Sequence, residues 1–165
     1  MAKNKLPGTP AIRMLKMAHV DFKPCPYPYE DHGGTETAAR ELAVDEHAVI
    51  KTLVMETEDK EPLIVLMHGD KKVSTKNLAR IIGTRSVTPC PPQEAQKHTG
   101  YMVGGTSPFG TRKRMSVYME KSIAALSTIY INGGKRGLLL EMAPSAIIDI
   151  LAPTLITVAI DEGGS

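Results

Sequence analysis

Two apolar stretches, 49-VIKTLVMET-57 and 63-LIVLMH-68, decide the fold. Both are rich in residues that fit a pleated, half-buried surface, and the acidic turn 58–62 separates them. This pattern predicts a β-hairpin. Lys51 places a positive charge inside the first strand, where burial of an unpaired ammonium would be strongly unfavourable. We therefore expect Lys51 either to meet a polar partner or to extend its ammonium to water along a packed stem.

The composition is that of one globular domain. The chain has 165 residues, of which 42% are hydrophobic and 23% are charged, and this length supports one hydrophobic core. We therefore expect a single domain over residues 1–165. No run approaches the roughly 20 apolar residues that cross a bilayer, and residues 1–10 lack the apolar region of a secretory signal. These features predict a cytoplasmic protein without membrane attachment.

Further helices and strands are predicted on both sides of the hairpin. Thr9, Thr35 and Ser74 stand where helix N-caps are expected, and Gly83 stands where a helix would end. The predicted helices are 10–19, 35–43, 74–82, 93–97 and 144–151, and the further strands are 86–88, 113–119, 127–131, 137–142 and 155–160. Strands and helices do not alternate regularly, which argues against a doubly wound parallel sheet. The sequence instead predicts an α/β fold of the α+β type, with a curved, barrel-like mixed β-sheet and helices packed outside it.

The segment 24-PCPYPY-29 contains alternating prolines, which exclude a helix and suit an extended edge. In an extended segment, Tyr27 and Tyr29 point to the same side. Gly33 and Gly34 then interrupt the chain before the second predicted helix.

Common catalytic motifs are missing from this sequence. It contains no GxSxG elbow, HExxH pair, P-loop or GxGxxG turn after a strand. The five histidines are scattered without metal-ligand spacing, and we expect each of them to be a surface or capping residue. Cys25 and Cys90 are predicted to be reduced structural thiols. We therefore expect neither a metal nor a cofactor.

Basic residues are few but locally clustered. The formal net charge is only +2, which does not by itself indicate a nucleic-acid-binding protein. The clusters 112-RKR-114 and 135-KR-136 adjoin glycine-rich loops. Such clusters suit either a rim that binds phosphate, through Arg112, Arg114, Lys135 or Arg136, or an ordinary solvated loop.

Three polar or glycine-rich stretches remain as candidates for a site: Lys51 with Thr52, 104-GGTSPFG-110, and 132-NGGKRG-137. Glycine pairs allow a backbone to approach a ligand closely and to present its amide donors. The stretch 132–137 is equally consistent with a simple hairpin turn, because Asn-Gly is a strong turn signal.

The order of 49-VIKTLVM-55, 99-TGYMVGGTSPFG-110 and 131-INGGKRGLLLEM-142 resembles the YbaK/EbsC family of free-standing aminoacyl-tRNA deacylases. That family is related to the editing domain of bacterial prolyl-tRNA synthetases, and the similarity extends over nearly the whole chain. The resemblance implies a curved mixed sheet surrounded by helices. It also implies a small pocket for the aminoacyl end of a mischarged tRNA.

The resemblance assigns roles to particular residues. Lys51 becomes the key polar residue of the pocket, and the amides of Gly104 and Gly105 are expected to hold an oxyanion. Thr52 is expected to act through its backbone or to be turned by a bulge, because successive strand side chains point to opposite faces.

Two further positions are implied as substrate-binding, and two depart from the family pattern. Tyr29 corresponds to an aromatic residue near the entrance, and Asn132 is expected to hold the substrate's amino group. Members of the family often have serine in place of Asn132, and some have an aromatic residue in place of Gly34. A missing aromatic wall would widen the pocket and leaves the preferred amino acid open.

The activity implied by the resemblance is removal of cysteine from Cys-tRNA(Pro), with Cys-tRNA(Cys) as a second candidate substrate. The resemblance also implies that the substrate's own thiol attacks the ester, and this fits a sequence that offers no protein nucleophile paired with a base. The expected partners are the tRNA acceptor end and prolyl-tRNA synthetase. Two alternatives stay open: a water-dependent deacylase for another mischarged tRNA, such as Ala-tRNA(Pro), and a non-catalytic module that binds tRNA or a synthetase.

Overall fold

The computed structural model describes residues 6–162. Residues 1–5, on which the expectation about a secretory signal partly rests, and residues 163–165 lie outside the described part. The helices are α1 (Pro10–Met17), α2 (Gly34–Leu42), α3 (Thr75–Ile82), α4 (Pro92–Thr99) and α5 (Ser145–Leu151). The strands are β1 (Lys23–Pro26), β2 (Val49–Thr57), β3 (Pro62–His68), β4 (Lys71–Val73), β5 (Val87–Pro89), β6 (Ser116–Glu120), β7 (Ile129–Asn132), β8 (Leu138–Met142), β9 (Thr154–Ile156) and β10 (Ala159–Asp161). Short 3₁₀ turns occupy Glu46–Ala48 and Lys121–Ala125.

The predicted hairpin forms the centre of an eight-stranded mixed sheet. Strands β2 and β3 pair antiparallel, from Ile50 opposite His68 to Glu56 opposite Pro62. The strand order is β1-β8-β7-β2-β3-β6-β9, and β5 pairs separately with β2. Strand β7 runs parallel to β2, and β6 runs parallel to both β3 and β9. The mixed sheet is confirmed, but its order ends at β1 and β9, so within residues 6–162 the sheet is open and does not close into a barrel.

Helices cover both faces of this sheet. Alternate side chains of β3 point to opposite faces, as the pleat requires. Ile64 and Leu66 pack in a cluster with α1 and α5, whereas Val65 and Met67 pack in a cluster with α3. Helix α2 covers Val49 and Leu139 on the α3 side. The expectation of helices packed outside the sheet is therefore confirmed, and within residues 6–162 no helix combines the length and hydropathy of a membrane span.

Two of the three predicted N-caps are confirmed. The Thr9 hydroxyl accepts a hydrogen bond from the Ile12 amide at 3.1 Å, and the Ser74 hydroxyl accepts from the Asn77 amide at 3.3 Å. The Thr35 prediction is wrong, because the cap position of α2 is Gly33. The Thr35 hydroxyl instead lies 2.8 Å from Glu46 Oε2, a tertiary partner that a local cap rule does not consider.

Two predicted strands differ from the observed ones. The segment predicted as 113–119 becomes a strand only at Ser116, because the amides of Arg112 and Lys113 bond to carbonyls at the end of α4. The run 155–160 divides into β9, which joins the main sheet, and β10, which pairs antiparallel with β4. Strand β4 was absent from the sequence prediction.

Candidate active site

The candidate site lies at a gap in the main sheet. Beside β2, β7 pairs only with Val49 and Ile50, and β5 pairs only with Met55–Thr57. Between those two neighbours, no strand of residues 6–162 pairs with the side of β2 opposite β3. The middle of β2 therefore presents an open backbone edge, next to the place where the sheet is interrupted.

A cleft of about 750 Å³ follows this open edge. Its walls come from the tyrosine segment after β1, the start of α2, the middle of β2, the loop before β6 and the end of β7. Five of the six residues predicted for the site line it, namely Tyr29, Lys51, Thr52, Gly104 and Asn132. The sixth, Gly105, is buried behind the wall.

Lys51 obtains its polar partners from the protein itself. Its ammonium donates a hydrogen bond to the backbone carbonyl of Lys71 at 2.6 Å and lies 3.7 Å from the Glu162 carboxylate. The side chain is 23% exposed. A carbonyl and a carboxylate therefore offset the desolvation of this ammonium, which answers the question raised by a lysine inside an apolar strand.

Lys51 and Thr52 face opposite sides of the sheet but share the cleft. The Thr52 side chain lies on the same face as Ile50, which packs in the core under α1 and α5. The Lys51 side chain lies on the opposite face, which α2 and α3 cover. Both line one cavity because the cleft follows the strand edge itself. A bulge is therefore not needed to bring them together.

The backbone of Thr52 faces the gap. In an antiparallel strand, the backbone N–H and C=O groups of successive residues point alternately to the two sides of the strand. The Val54 carbonyl accepts a hydrogen bond from the Cys90 amide at 3.0 Å, on the side away from β3. The N–H and C=O of Thr52, two residues earlier, point to that same side. The Thr52 hydroxyl is buried and has no hydrogen-bond partner within residues 6–162.

The two glycines of the 104–110 loop differ in what they offer. Gly104 is exposed to the cleft at φ +88°, and its amide makes no hydrogen bond within the described residues. The Gly105 amide donates to the Met102 carbonyl at 2.9 Å, and a Cβ built at Gly105 would lie 2.9 Å from the backbone nitrogen of Arg136. Gly104 therefore has the free donor, while Gly105 allows the two loops to approach each other closely.

Asn132 joins two loops of the cleft. Its Oδ1 accepts from the amides of Gly134 at 2.7 Å and Lys135 at 3.1 Å, and its Nδ2 donates to the Gly104 carbonyl at 3.2 Å. The side-chain oxygen thus accepts two hydrogen bonds and Nδ2 donates one, which leaves a single N–H of the side chain unused. The side-chain carbonyl of Asn132 is occupied before any ligand arrives.

Arg136, from the basic cluster 135–136, contacts the cleft wall. Its Nε donates to the Val103 carbonyl at 2.8 Å, and its guanidinium carbon lies 5.2 Å from the centre of the Tyr29 ring. This geometry combines a hydrogen bond with a cation–π contact. The basic triplet 112–114 is not part of the cleft lining.

Neither cysteine has the properties of a nucleophile. Cys90 lines the cleft, but burial raises the pKa of its thiol to about 11, and the Glu56 carboxylate adds to this effect. The thiol contacts Glu56 Oε1 at 3.7 Å. Burial also raises the pKa of the Cys25 thiol. Both thiols are therefore protonated near neutral pH.

Sequence reasoning missed a histidine pair beside the cleft. The rings of His47 and His68 stack with centroids 3.7 Å apart and planes 5° apart. His68 is buried between the His47 carbonyl at 2.7 Å and the Ser122 hydroxyl at 2.6 Å, so the expectation of a surface or capping role is wrong for His68. Burial lowers the pKa of His68. No cluster of three or more potential metal ligands occurs within residues 6–162.

Comparison with known proteins identifies the family. A family model described as the aminoacyl-tRNA editing domain matches residues 30–150. EbsC of Enterococcus faecalis, named as a candidate Cys-tRNA(Pro)/Cys-tRNA(Cys) deacylase, is 32% identical over 152 residues, which cover 91% of this chain and 93% of EbsC. A proline–tRNA ligase of Syntrophotalea carbinolica is 30% identical over 104 residues, which cover 63% of this chain and 17% of the ligase.

A solved structure shares the fold. The crystal structure of a candidate trans-editing enzyme for prolyl-tRNA synthetase superposes with a TM-score of 0.80 at 18% identity, over 94% of this chain and 99% of that chain. The family match spans most of the chain and includes the strand edge, the 104–110 loop and Asn132. This chain belongs to the aminoacyl-tRNA editing domain family.

Proposed function

We propose that this protein is a trans-editing deacylase that removes cysteine from mischarged Cys-tRNA(Pro), with Cys-tRNA(Cys) as a second substrate. The observation that carries this proposal is the open edge of β2, which brings Lys51 and the Thr52 backbone into one cleft with Gly104. The 32% identity with EbsC, which is named for the same substrates, supports the choice of amino acid.

The reaction uses the substrate's own nucleophile. The cysteinyl thiol loses its proton, and its sulfur attacks the carbonyl carbon of the same residue. The ester C–O bond breaks, the ribose oxygen takes up a proton, and a four-membered cyclic thioester leaves. Water then opens this thioester to give free cysteine. This route needs no protein nucleophile, in agreement with the raised pKa of both cysteines.

The cleft residues supply binding and charge stabilisation. The Lys51 ammonium has three donors, one of which is used on the Lys71 carbonyl, so it retains donors for a phosphate or for the ester carbonyl. The free amide of Gly104 is the donor for the developing oxyanion. The N–H and C=O of Thr52 face the same space and position the aminoacyl group.

Gly105 and Asn132 support the site rather than touch the reacting atoms. The Gly105 amide is engaged with Met102, and the Asn132 side-chain carbonyl is engaged with the 133–137 turn. In this proposal Asn132 holds the Gly104 peptide in place, and its backbone carbonyl is the group left for the substrate's amino group. Tyr29 forms the wall beside Gly104.

Selectivity for cysteine follows from the reaction route. A hydrophobic pocket alone distinguishes side chains by about 1–3 kcal/mol per methylene, whereas a serine hydroxyl is a far weaker nucleophile than a thiolate. Serine is thus rejected by chemistry rather than by size. The acceptor end of the tRNA enters the cleft, and prolyl-tRNA synthetase in the cytoplasm supplies the choice of tRNA.

The space beside Gly34 supports one alternative substrate, Ala-tRNA(Pro). Gly34 lines the cleft, and apart from its chain neighbours and the backbone of α2, no atom of the described residues lies within 4 Å of a Cβ built there. The space next to α2 accommodates a water molecule and a small side chain. Hydrolysis of Ala-tRNA(Pro) by water is therefore the second candidate function.

The proposal is tested by deacylation of Cys-tRNA(Pro), Cys-tRNA(Cys), Ala-tRNA(Pro) and Ser-tRNA(Pro) in the presence of a metal chelator. The matched control is tRNA(Pro) charged with 2-aminobutyrate, in which a methyl group of nearly the same size replaces the thiol. Fast loss of cysteine with retention of 2-aminobutyrate supports the thiol route. Turnover of 2-aminobutyryl- or alanyl-tRNA indicates a water route, and binding without turnover indicates a non-catalytic module.

A further inference from the structure

The ion pair between Lys51 and Glu162 lies inside the cleft. Both residues line it, and the Glu162 carboxylate is 3.7 Å from the Lys51 ammonium. Glu162 directly follows strand β10, which is far from Lys51 in sequence. This carboxylate therefore places a negative charge where an anionic ligand of Lys51 would otherwise lie.

Lys71 connects the two members of this pair. Its backbone carbonyl accepts from the Lys51 ammonium at 2.6 Å, and its side chain contacts Asp161 Oδ1 at 2.6 Å. Lys71 and Asp161 are also opposite each other in the β4–β10 ladder. The ladder thus fixes the residue before Glu162 beside the residue that holds Lys51, so the position of Glu162 follows from strand register.

The geometry of the Lys51–Glu162 ion pair allows another anion to replace the Glu162 carboxylate. The Glu162 side chain is 60% exposed, and its 3.7 Å separation from Lys51 exceeds hydrogen-bond distance. Exposed ion pairs contribute little, so a better anion displaces such a carboxylate readily. A phosphate offers more acceptor oxygens than a carboxylate, whereas an uncharged carbonyl does not replace the lost negative charge.

We propose that Glu162 competes with a ligand's phosphate for Lys51, so that it weakens the binding of phosphate-bearing ligands and leaves the binding of ligands without a phosphate unchanged. This inference deepens the proposed function, on which it rests for the identity of the ligand. The phosphate in question belongs to the terminal nucleotide of an aminoacyl-tRNA. Glu162 therefore lowers the affinity of the cleft for that nucleotide.

The test measures binding without catalysis. Titration calorimetry compares adenosine 5′-monophosphate with adenosine for the native protein, Glu162→Gln and the control Glu94→Gln. Glu94 forms a comparable exposed ion pair with Lys97 at 3.6 Å and does not line the cleft. We expect Glu162→Gln to bind the monophosphate about two- to fivefold more tightly, as loss of a competing exposed ion pair predicts. The affinity of Glu162→Gln for adenosine should equal that of the native protein. Glu94→Gln should bind both ligands with native affinity.

A double variant isolates the pair. In a Lys51→Met background, Glu162→Gln should leave monophosphate affinity unchanged, because the ammonium for which Glu162 and the phosphate compete is absent. Equal affinities of native and Glu162→Gln proteins, or equal gains for both ligands, would overturn the proposal. Glu162→Ala provides a second variant with the same expectation. A protein that shows the expected binding pattern but no deacylation would disprove the proposed activity and leave this inference standing.

Discussion

The hydroxyl of Tyr29 occupies the space that a side chain at Gly104 would need. A Cβ built on Gly104 would lie 2.5 Å from Tyr29 Oη. Gly104 also has φ +88°, a conformation that favours glycine. The wall of the cleft is therefore formed by an aromatic ring packed directly against the backbone of Gly104.

Gly104→Ala is expected to reduce deacylation sharply, since the new methyl group must push away Tyr29 or the loop. Gly83 is the matched control, because it has the same φ of +88° but open space where its Cβ would lie. Gly83→Ala should cost about 1 kcal/mol of stability from backbone strain and leave kcat/KM unchanged. Adding Tyr29→Phe to Gly104→Ala should recover part of the activity. Equal kcat/KM for the two alanine variants would contradict this explanation.

Asn132→Ala should lower the free energy of unfolding by about 1–3 kcal/mol through loss of its hydrogen bonds, and should reduce kcat/KM. Asn132→Asp separates the two effects. Aspartate keeps the acceptor for the Gly134 and Lys135 amides but has no donor for the Gly104 carbonyl. We expect urea unfolding of Asn132→Asp to stay close to native while activity falls. Native activity in both variants would exclude a role for Asn132 in positioning Gly104.

Cys90→Ala should leave the rate of deacylation within about twofold of native, because a buried, protonated thiol is a poor nucleophile. The thiol's pKa of about 11 keeps it protonated up to pH 9. Iodoacetamide at pH 8 should therefore not inactivate the protein. Inactivation that tracks alkylation of Cys90, or a thiolate-dependent rise in rate near pH 8.5 that the variant lacks, would show that Cys90 reacts.

His68 should make stability depend on pH. Burial lowers its pKa in the folded state, so between that value and the ordinary value near 6.5 the unfolded chain binds the additional proton. The free energy of unfolding should then fall as pH decreases below about 6.5. His68→Asn should weaken this dependence, whereas His32→Asn, at an exposed histidine, should not. Identical pH profiles for native and His68→Asn proteins would contradict this assignment.

Local sequence signals predicted the elements well. The β2–β3 hairpin, the Thr9 and Ser74 caps and the extended proline segment all depend on neighbouring residues, and each was found. Thr35 shows the limit of such rules, because its hydroxyl partner, Glu46, is eleven residues away. A cap rule considers only the adjacent turn.

The features that make the site depend on distant parts of the chain. The gap beside Thr52 exists because β7 and β5 pair with different ends of β2, and strand order is not encoded in any local pattern. Glu162 reaches Lys51 only through the β4–β10 ladder, and β4 is three residues long. Family resemblance singled out Lys51, Gly104 and Asn132, which all line the cleft, but it did not indicate that the Asn132 side chain is hydrogen-bonded within the protein.

The most direct test of the central claim is the rate of Cys-tRNA(Pro) deacylation by native protein, Lys51→Ala and Lys97→Ala, measured with a metal chelator present. Lys97 is an exposed lysine outside the cleft and controls for loss of charge. The proposed site predicts that Lys51→Ala lowers kcat/KM by about a hundredfold or more, as is typical when a hydrogen-bond donor to the transition state is lost. The kcat/KM of Lys97→Ala should stay close to native. A Lys51→Ala protein that is folded and deacylates at the native rate would contradict the proposed role of this cleft.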